Sequence, residues 1–332
     1  MQARRDVLQV LVFACLSLGF LAPANAHPTI YWTDVGTGKV QRYDVDGDLG
    51  KEDLVTAQAK EPVDVALDLT NGKLYWTEAS PADFMISRAN LDGTNVELLV
   101  TALIRPSGIE LDVVAGKMYW TDIGTGKIQR ANLDGTIHED LVTVPGTTPV
   151  DIALDLPRGK MYWTEASPAD FMILRANLDG TSQEGLVVST GTSPSGIAVD
   201  SVAGKIYWTD RGASKIQRAN LDGSQVEDFI TTGLKEPVRI ALDVPAGHIY
   251  WTEGSPGDFL IFRANLDGGS DGGFHPLPGL FSPSGIALDA PAGPAVPATS
   301  ISGLVVMMVV LVTAGAGILR RFSRDKLWQA TE

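Results

Sequence analysis

From residue 28 to residue 290 the chain runs in short stretches of alternating apolar and polar residues. Gly, Pro, Asp or Asn bounds each stretch, which is the punctuation of strands and tight turns rather than of helices. Residues 62–102 show the pattern. PVDVALD (62–68) alternates around Val63, Val65 and Leu67. NGKLYWTE (71–78), FMISRANL (84–91) and VELLVTA (96–102) follow, and Asp92-Gly93 between the last two is a hairpin turn. The pattern predicts four antiparallel strands in one unit.

That unit recurs. The tetrapeptide Tyr-Trp-Thr-Asp/Glu begins at Tyr31, Tyr75, Tyr119, Tyr162, Tyr207 and Tyr250, at spacings of 44, 44, 43, 45 and 43 residues. Four strands at this period are the mark of propeller blades, and the prediction is an all-β, six-bladed β-propeller over residues 27–290. A single blade is apolar on both faces and needs a neighbour on each. The motif rings Tyr31, Trp32, Tyr75, Trp76, Tyr119, Trp120, Tyr162, Trp163, Tyr207, Trp208, Tyr250 and Trp251 are assigned to the core. Large aromatic surfaces in every repeat suit packing between blades better than stacking on a sugar.

Ring closure is also predicted. The first repeat enters at its second segment, PTIYWTD (28–34), and the last ends on an extra first segment, PSGIALD (283–289). Pro283–Asp289 should therefore complete the blade that Tyr31 begins. The repeats alternate in type, too. YWTD blades carry short hairpins (GTGKVQR, GTGKIQR, GASKIQR), and YWTE blades carry hairpins two residues longer (ASPADFMISR, ASPADFMILR, GSPGDFLIFR). PSGIALD is of the kind that precedes YWTD, which is the blade that closure assigns to it.

The two ends read differently from the middle. Residues 1–26 have Arg4 and Arg5, an apolar run and Ala24-Asn25-Ala26, the layout of a cleaved secretory signal. Residues 291–300 form a Pro-rich linker. Residues 301–319 carry no charge, and at ~1.5 Å rise they reach about 28 Å, one hydrocarbon core. Arg320, Arg321, Arg324 and Lys326 follow, so the expected span is a transmembrane helix with residues 320–332 as a cytoplasmic tail and the propeller outside. Val296-Pro297, the apolar run and the arginines resemble bacterial C-terminal sorting signals of the PEP-CTERM and IPTL-CTERM kind, which implies processing by a membrane protease.

Charge and cysteine narrow the function. The formal net charge of -14 argues against nucleic acid as a partner. The one cysteine, Cys15, falls in the signal, leaving no disulfide or thiolate site in the mature chain.

YWTD at this spacing, with RANLDG (88–93, 130–135, 175–180, 218–223, 263–268) and PSGIAVD (194–200), resembles the low-density lipoprotein receptor class B repeat. The resemblance implies a six-bladed extracellular module that binds proteins and catalyses nothing, with no cofactor. The absence of a cysteine-rich module beside the repeats favours a bacterial envelope protein.

Candidate chemistry lies where the repeats differ. The third residue of each first segment is Asp64, Gly108, Asp151, Gly196, Arg239 or Gly285. These are expected on the innermost strands, around one mouth of a central channel. Arg211 replaces the apolar Val35 or Ile123 of its counterparts, and the long hairpins carry Asp83-Phe84, Asp170-Phe171 and Asp258-Phe259 toward what should be the same face. The expected function is a membrane-anchored scaffold that uses this face for an envelope or extracellular protein. The alternatives are an envelope enzyme of lyase or lactonase type and a glycan-binding adhesin. The four histidines are scattered and form no metal motif. Asp44–Asp48 looks like a fragment of a calcium loop but lacks its distal Glu and occupies the slot of the NLDG turn.

Overall fold

Each repeat folds because its alternating positions pair into an antiparallel sheet whose two faces are both apolar. The computed structural model describes residues 28–44, 50–56, 60–81, 83–143, 146–166, 171–189, 193–255, 260–269 and 280–290. Six sheets form. Blade 1 holds Thr29–Asp34, Lys39–Asp44 and Lys51–Val55; blade 2 holds Pro62–Asp68, Lys73–Ser80, Asp83–Asn90 and Glu97–Val100. Blade 3 is Pro106–Asp112, Lys117–Asp122, Lys127–Asn132 and Glu139–Thr143; blade 4 is Pro149–Asp155, Lys160–Ala166, Phe171–Asn177 and Glu184–Ser189. Blade 5 is Pro194–Asp200, Lys205–Asp210, Lys215–Asn220 and Glu227–Ile230. Blade 6 has three described strands, Pro237–Asp243, His248–Glu253 and Leu260–Asn265.

The ring closes as the repeat phase predicts. Pro283–Asp289 is the innermost strand of blade 1 and pairs antiparallel with Thr29–Asp34, with Thr29 opposite Asp289, Tyr31 opposite Ala287 and Trp32 opposite Ile286. The predicted 62–68 strand is observed with those bounds, and the bounds of the others in that blade shift by one or two residues. The two hairpin types are also present. In blade 2 the pairing continues to Ser80 opposite Asp83, whereas in blade 3 it stops at Asp122 opposite Lys127.

All twelve motif aromatics are buried, and each blade's Tyr or Trp joins an apolar cluster with a neighbouring blade. Two polar devices hold the blades in register. The motif threonine accepts the third inner-strand N–H of its own blade and donates to a carbonyl of the next. Thr77 takes the Asp64 N–H at 3.1 Å and donates to the Ser107 carbonyl at 2.6 Å. All six threonines, from Thr33 to Thr252, donate across a blade boundary in this way. Further out, the arginine of RANLDG reaches the next blade's leucine carbonyl. Arg88 donates to Leu133, Arg130 to Leu178 and Arg175 to Leu221, at 2.8–3.1 Å. The guanidinium of Arg88 lies over the Tyr75 ring at 5.8 Å and pairs with Glu97.

The alternation of Asp and Glu has a local cause. In the long-hairpin blades the Glu carboxylate reaches its own Trp, as in Trp76 Nε1 donating to Glu78 at 2.6 Å, while also accepting N–H groups of the incoming loop. In a short-hairpin blade the Asp instead caps the turn, accepting from Gly124 and Thr125, and Trp120 Nε1 donates to Gln129 at 3.0 Å. The side chain one methylene shorter leaves the indole to the glutamine of GKIQR.

Among the described residues no helix is long and apolar enough to cross a membrane. The predicted signal, linker, transmembrane helix and tail lie outside the described residues, as does most of the Asp44–Asp48 loop.

Candidate functional site

The six inner strands line a channel on the ring axis, and their sequence differences decide what fills it. Where an inner strand meets its neighbour, an irregularity in register falls between its first proline and its fourth residue, as between Pro149 and Ile152. In blades 4 and 6 the irregularity leaves the third residue, Asp151 or Arg239, out of the ladder, whereas in blade 2 it falls between Pro62 and Asp64, and Asp64 stays paired with Thr77. At this level Asp64, Asp151 and Arg239, from alternate blades, meet one another. Arg239 Nε lies 3.8 Å from Asp64 Oδ1, and its Nη1 lies 3.7 Å from Asp151 Oδ2. Arg239 Nη2 donates to Ser107 Oγ at 2.9 Å and to the Val150 carbonyl at 3.3 Å. Asp64 Oδ2 accepts the Ile109 N–H at 3.0 Å, and Asp151 Oδ2 accepts the Ile197 N–H at 2.9 Å.

The glycines between them are required by space. A Cβ on Gly108 would sit 2.4 Å from Asp151 Oδ1, and one on Gly285 would sit 2.4 Å from the Asp64 Cα. Six side chains cannot fit at this level, and three large ones with three glycines can.

These three charges were expected to fringe an open mouth. They are instead 3–5% exposed and close the axis. Burial pushes the Asp64 carboxyl well above the usual range, with Arg239 opposing and Asp151 adding to the rise. Asp151 is also raised by burial, against Arg239, and shares a hydrogen bond with Asp64. Burial thus favours the neutral form of both acids, and the guanidinium between them favours the charged form.

Beside this layer the channel widens into a cavity of about 330 Å³. All six fifth residues of the inner strands line it: Ala66, Glu110, Ala153, Ala198, Ala241 and Ala287. Its remaining lining residues have apolar side chains, and Leu69 and Val244, in the loops after the inner strands, lie at its far end. Glu110 accepts the Leu111 N–H at 3.3 Å. Burial raises its carboxyl to about 7, with a smaller push from Asp151. Sequence reading passed over Glu110. The signal was there: one glutamate stands where five repeats have alanine.

The outer candidates divide. Arg211 is half exposed and pairs with Glu236 at 2.8 Å, bridging a hairpin to the loop that enters the next inner strand. Asp83 pairs with Lys60, in the loop that enters the inner strand of its own blade. Phe84 packs against the apolar cluster of blades 2 and 3, so it serves packing in place of presenting a ring to solvent. Phe171 begins a strand of blade 4, and Asp170, Asp258 and Phe259 lie outside the described residues. His138 lies against the Trp120 ring at 5.0 Å. Among the described residues no three His, Cys, Asp or Glu side chains are grouped to hold a metal.

Five four-stranded sheets and a sixth with three described strands, closed by a strand from the far end of the chain, define a six-bladed β-propeller. The sequence also matches the model of the virginiamycin B lyase family over residues 22–269, and the chain belongs to that family. No curated protein matches it. A chain in the crystal structure of a nidogen/laminin complex has a TM-score of 0.70 at 23% identity, covering 79% of this chain and 98% of that one. A gluconolactonase from Xanthomonas campestris gives 0.57 at 18% identity, covering 68% and 79%. TolB from Acinetobacter baumannii gives 0.60 at 14%, covering 84% and 70%. At these identities the three structures speak for the fold alone. The YWTD-like propeller architecture stands, and the family that contains it is named for an enzyme.

Proposed function

We propose that this protein is an exported propeller, held at a membrane by residues 301–319, which binds an extracytoplasmic partner without chemically transforming it. The carrying observation is how the axial charges are used. Asp64 and Asp151 face the one guanidinium of Arg239, and both carboxylates accept backbone N–H groups of the next blade. Both carboxylates are tied into the fold in this way and serve as part of a structural plug, although Arg239 Nε and Nη1 have no hydrogen-bond partner. The partner surface is then the outer face with the half-exposed Arg211–Glu236 and Lys60–Asp83 pairs.

The family match favours a second reading, an envelope lyase, in which Glu110 would be the acid or base. The two readings separate in one experiment. Purified protein incubated with virginiamycin B and, separately, with gluconolactone should leave both unchanged by mass spectrometry, at rates equal to buffer alone. Turnover of either that is lost in Glu110→Gln would replace the scaffold reading with the enzyme reading.

A further inference from the structure

The axial cavity is a second site, separate from the outer face assigned to a partner. Its end beside the charged layer is closed by Asp64, Asp151 and Arg239, which face one another. Its volume of about 330 Å³ lies at the small end of ligand pockets. Five alanines show that the ring needs no polar group at this level, and Glu110 is the exception.

A carboxylate in an apolar cavity is costly unless something pairs with it. Among the described residues Glu110 has no ion-pair partner, and its one hydrogen bond is the long contact to Leu111. No lysine, arginine or histidine lines the cavity. Most of the carboxylate's accepting capacity is therefore free for a guest. A metal ion is a poor guest, because hard cations favour several carboxylate or other side-chain oxygens and Glu110 is the one side chain of the lining that offers any. An anion would meet Glu110 with no opposing charge. A guest with a cationic head and a compact apolar body satisfies both the carboxylate and the walls.

We propose that the axial cavity binds a small organic cation, a primary amine on a compact apolar body, with its ammonium on the Glu110 carboxylate. Burial favours the protonated form of this carboxyl in the empty cavity, and a bound ammonium would reverse that preference.

The test uses the full-length protein in lipid nanodiscs at pH 8, titrated calorimetrically with cyclohexylammonium, cyclohexanol and cyclohexanecarboxylate. The cation should bind at one site per chain, at least tenfold more tightly than either analogue. Glu110→Ala should weaken cation binding at least tenfold. That variant restores the residue present in the other five repeats, so it should fold, and its melting transition checks this. Ala198→Leu, which fills the cavity and keeps the carboxylate, should also abolish binding. Equal binding of the three probes, no saturable binding of the cation, or unchanged binding in folded Glu110→Ala would overturn the proposal. None of these outcomes bears on turnover of virginiamycin B.

Discussion

Glu110 costs the fold stability. Its pKa rises from 4.5 to about 7 on folding, so between those values the folded protein holds more protons than the unfolded chain. Stability must then fall as pH rises through that window. The shift corresponds to about 3 kcal/mol at most, and partial access to solvent from the channel lowers it to roughly 1–3 kcal/mol. Glu110→Ala should remove this penalty. Denaturant melts should show the variant more stable than the parent by about that amount at pH 8 and by much less at pH 4. Equal differences at both pH values would contradict the assignment. A residue that weakens its own scaffold and is retained is a candidate for function, by the usual trade between stability and activity. Asp64 and Asp151 are raised by burial as well, but each accepts a backbone N–H and faces Arg239. They are part of how the ring closes on its axis.

Among the elements, the closing strand carries the most. Pro283–Asp289 supplies the inner edge of blade 1, buries Ile286 and brings Gly285 N–H to Thr33 Oγ1 at 2.7 Å. It also takes the Thr252 hydroxyl on the Ser284 carbonyl at 2.8 Å, stitching blade 6 to blade 1. Without it, blades 1 and 6 expose apolar faces, including Trp32 and Tyr250. A chain ending at Ser282 should lose its cooperative thermal transition or melt at least ~10 °C lower by circular dichroism, because several kcal/mol of burial disappear at once. An unchanged melting temperature would mean that the ring does not depend on this clasp. The threonine stitches explain why the motif keeps a hydroxyl between an aromatic pair and an acid: that position serves two blades.

For the whole molecule, the pairing of Thr29 with Asp289 sets the first and last described strands side by side. If residues 301–319 hold the protein, the full-length chain should sediment with membranes after alkaline carbonate extraction. A chain stopped after residue 290 should stay soluble. Recovery of the full-length protein in the soluble fraction would remove the anchor from the model of function. The three-fold alternation belongs to this scale as well. Blades 2, 4 and 6 provide Asp64, Asp151 and Arg239, and blades 1, 3 and 5 provide the glycines that admit them.

The repeat period, the four strands per unit, the closing strand and the two blade types were legible in the sequence because each depends on local pattern. Alternation fixes strands, Asp-Gly fixes turns, and the phase of the first and last repeats fixes closure. The third inner-strand residues were also picked out, as breaks in the repeat. Their burial was not legible, since a charged side chain at a channel looks exposed until three strands more than eighty residues apart bring opposite charges together. Phe84 was a candidate for the same face, and in the structure it is partly buried against the apolar cluster of blades 2 and 3. Glu110 was visible as one letter among alanines. Only the closed ring makes it the single carboxylate on an apolar wall, because only there do six copies of one position face a common space.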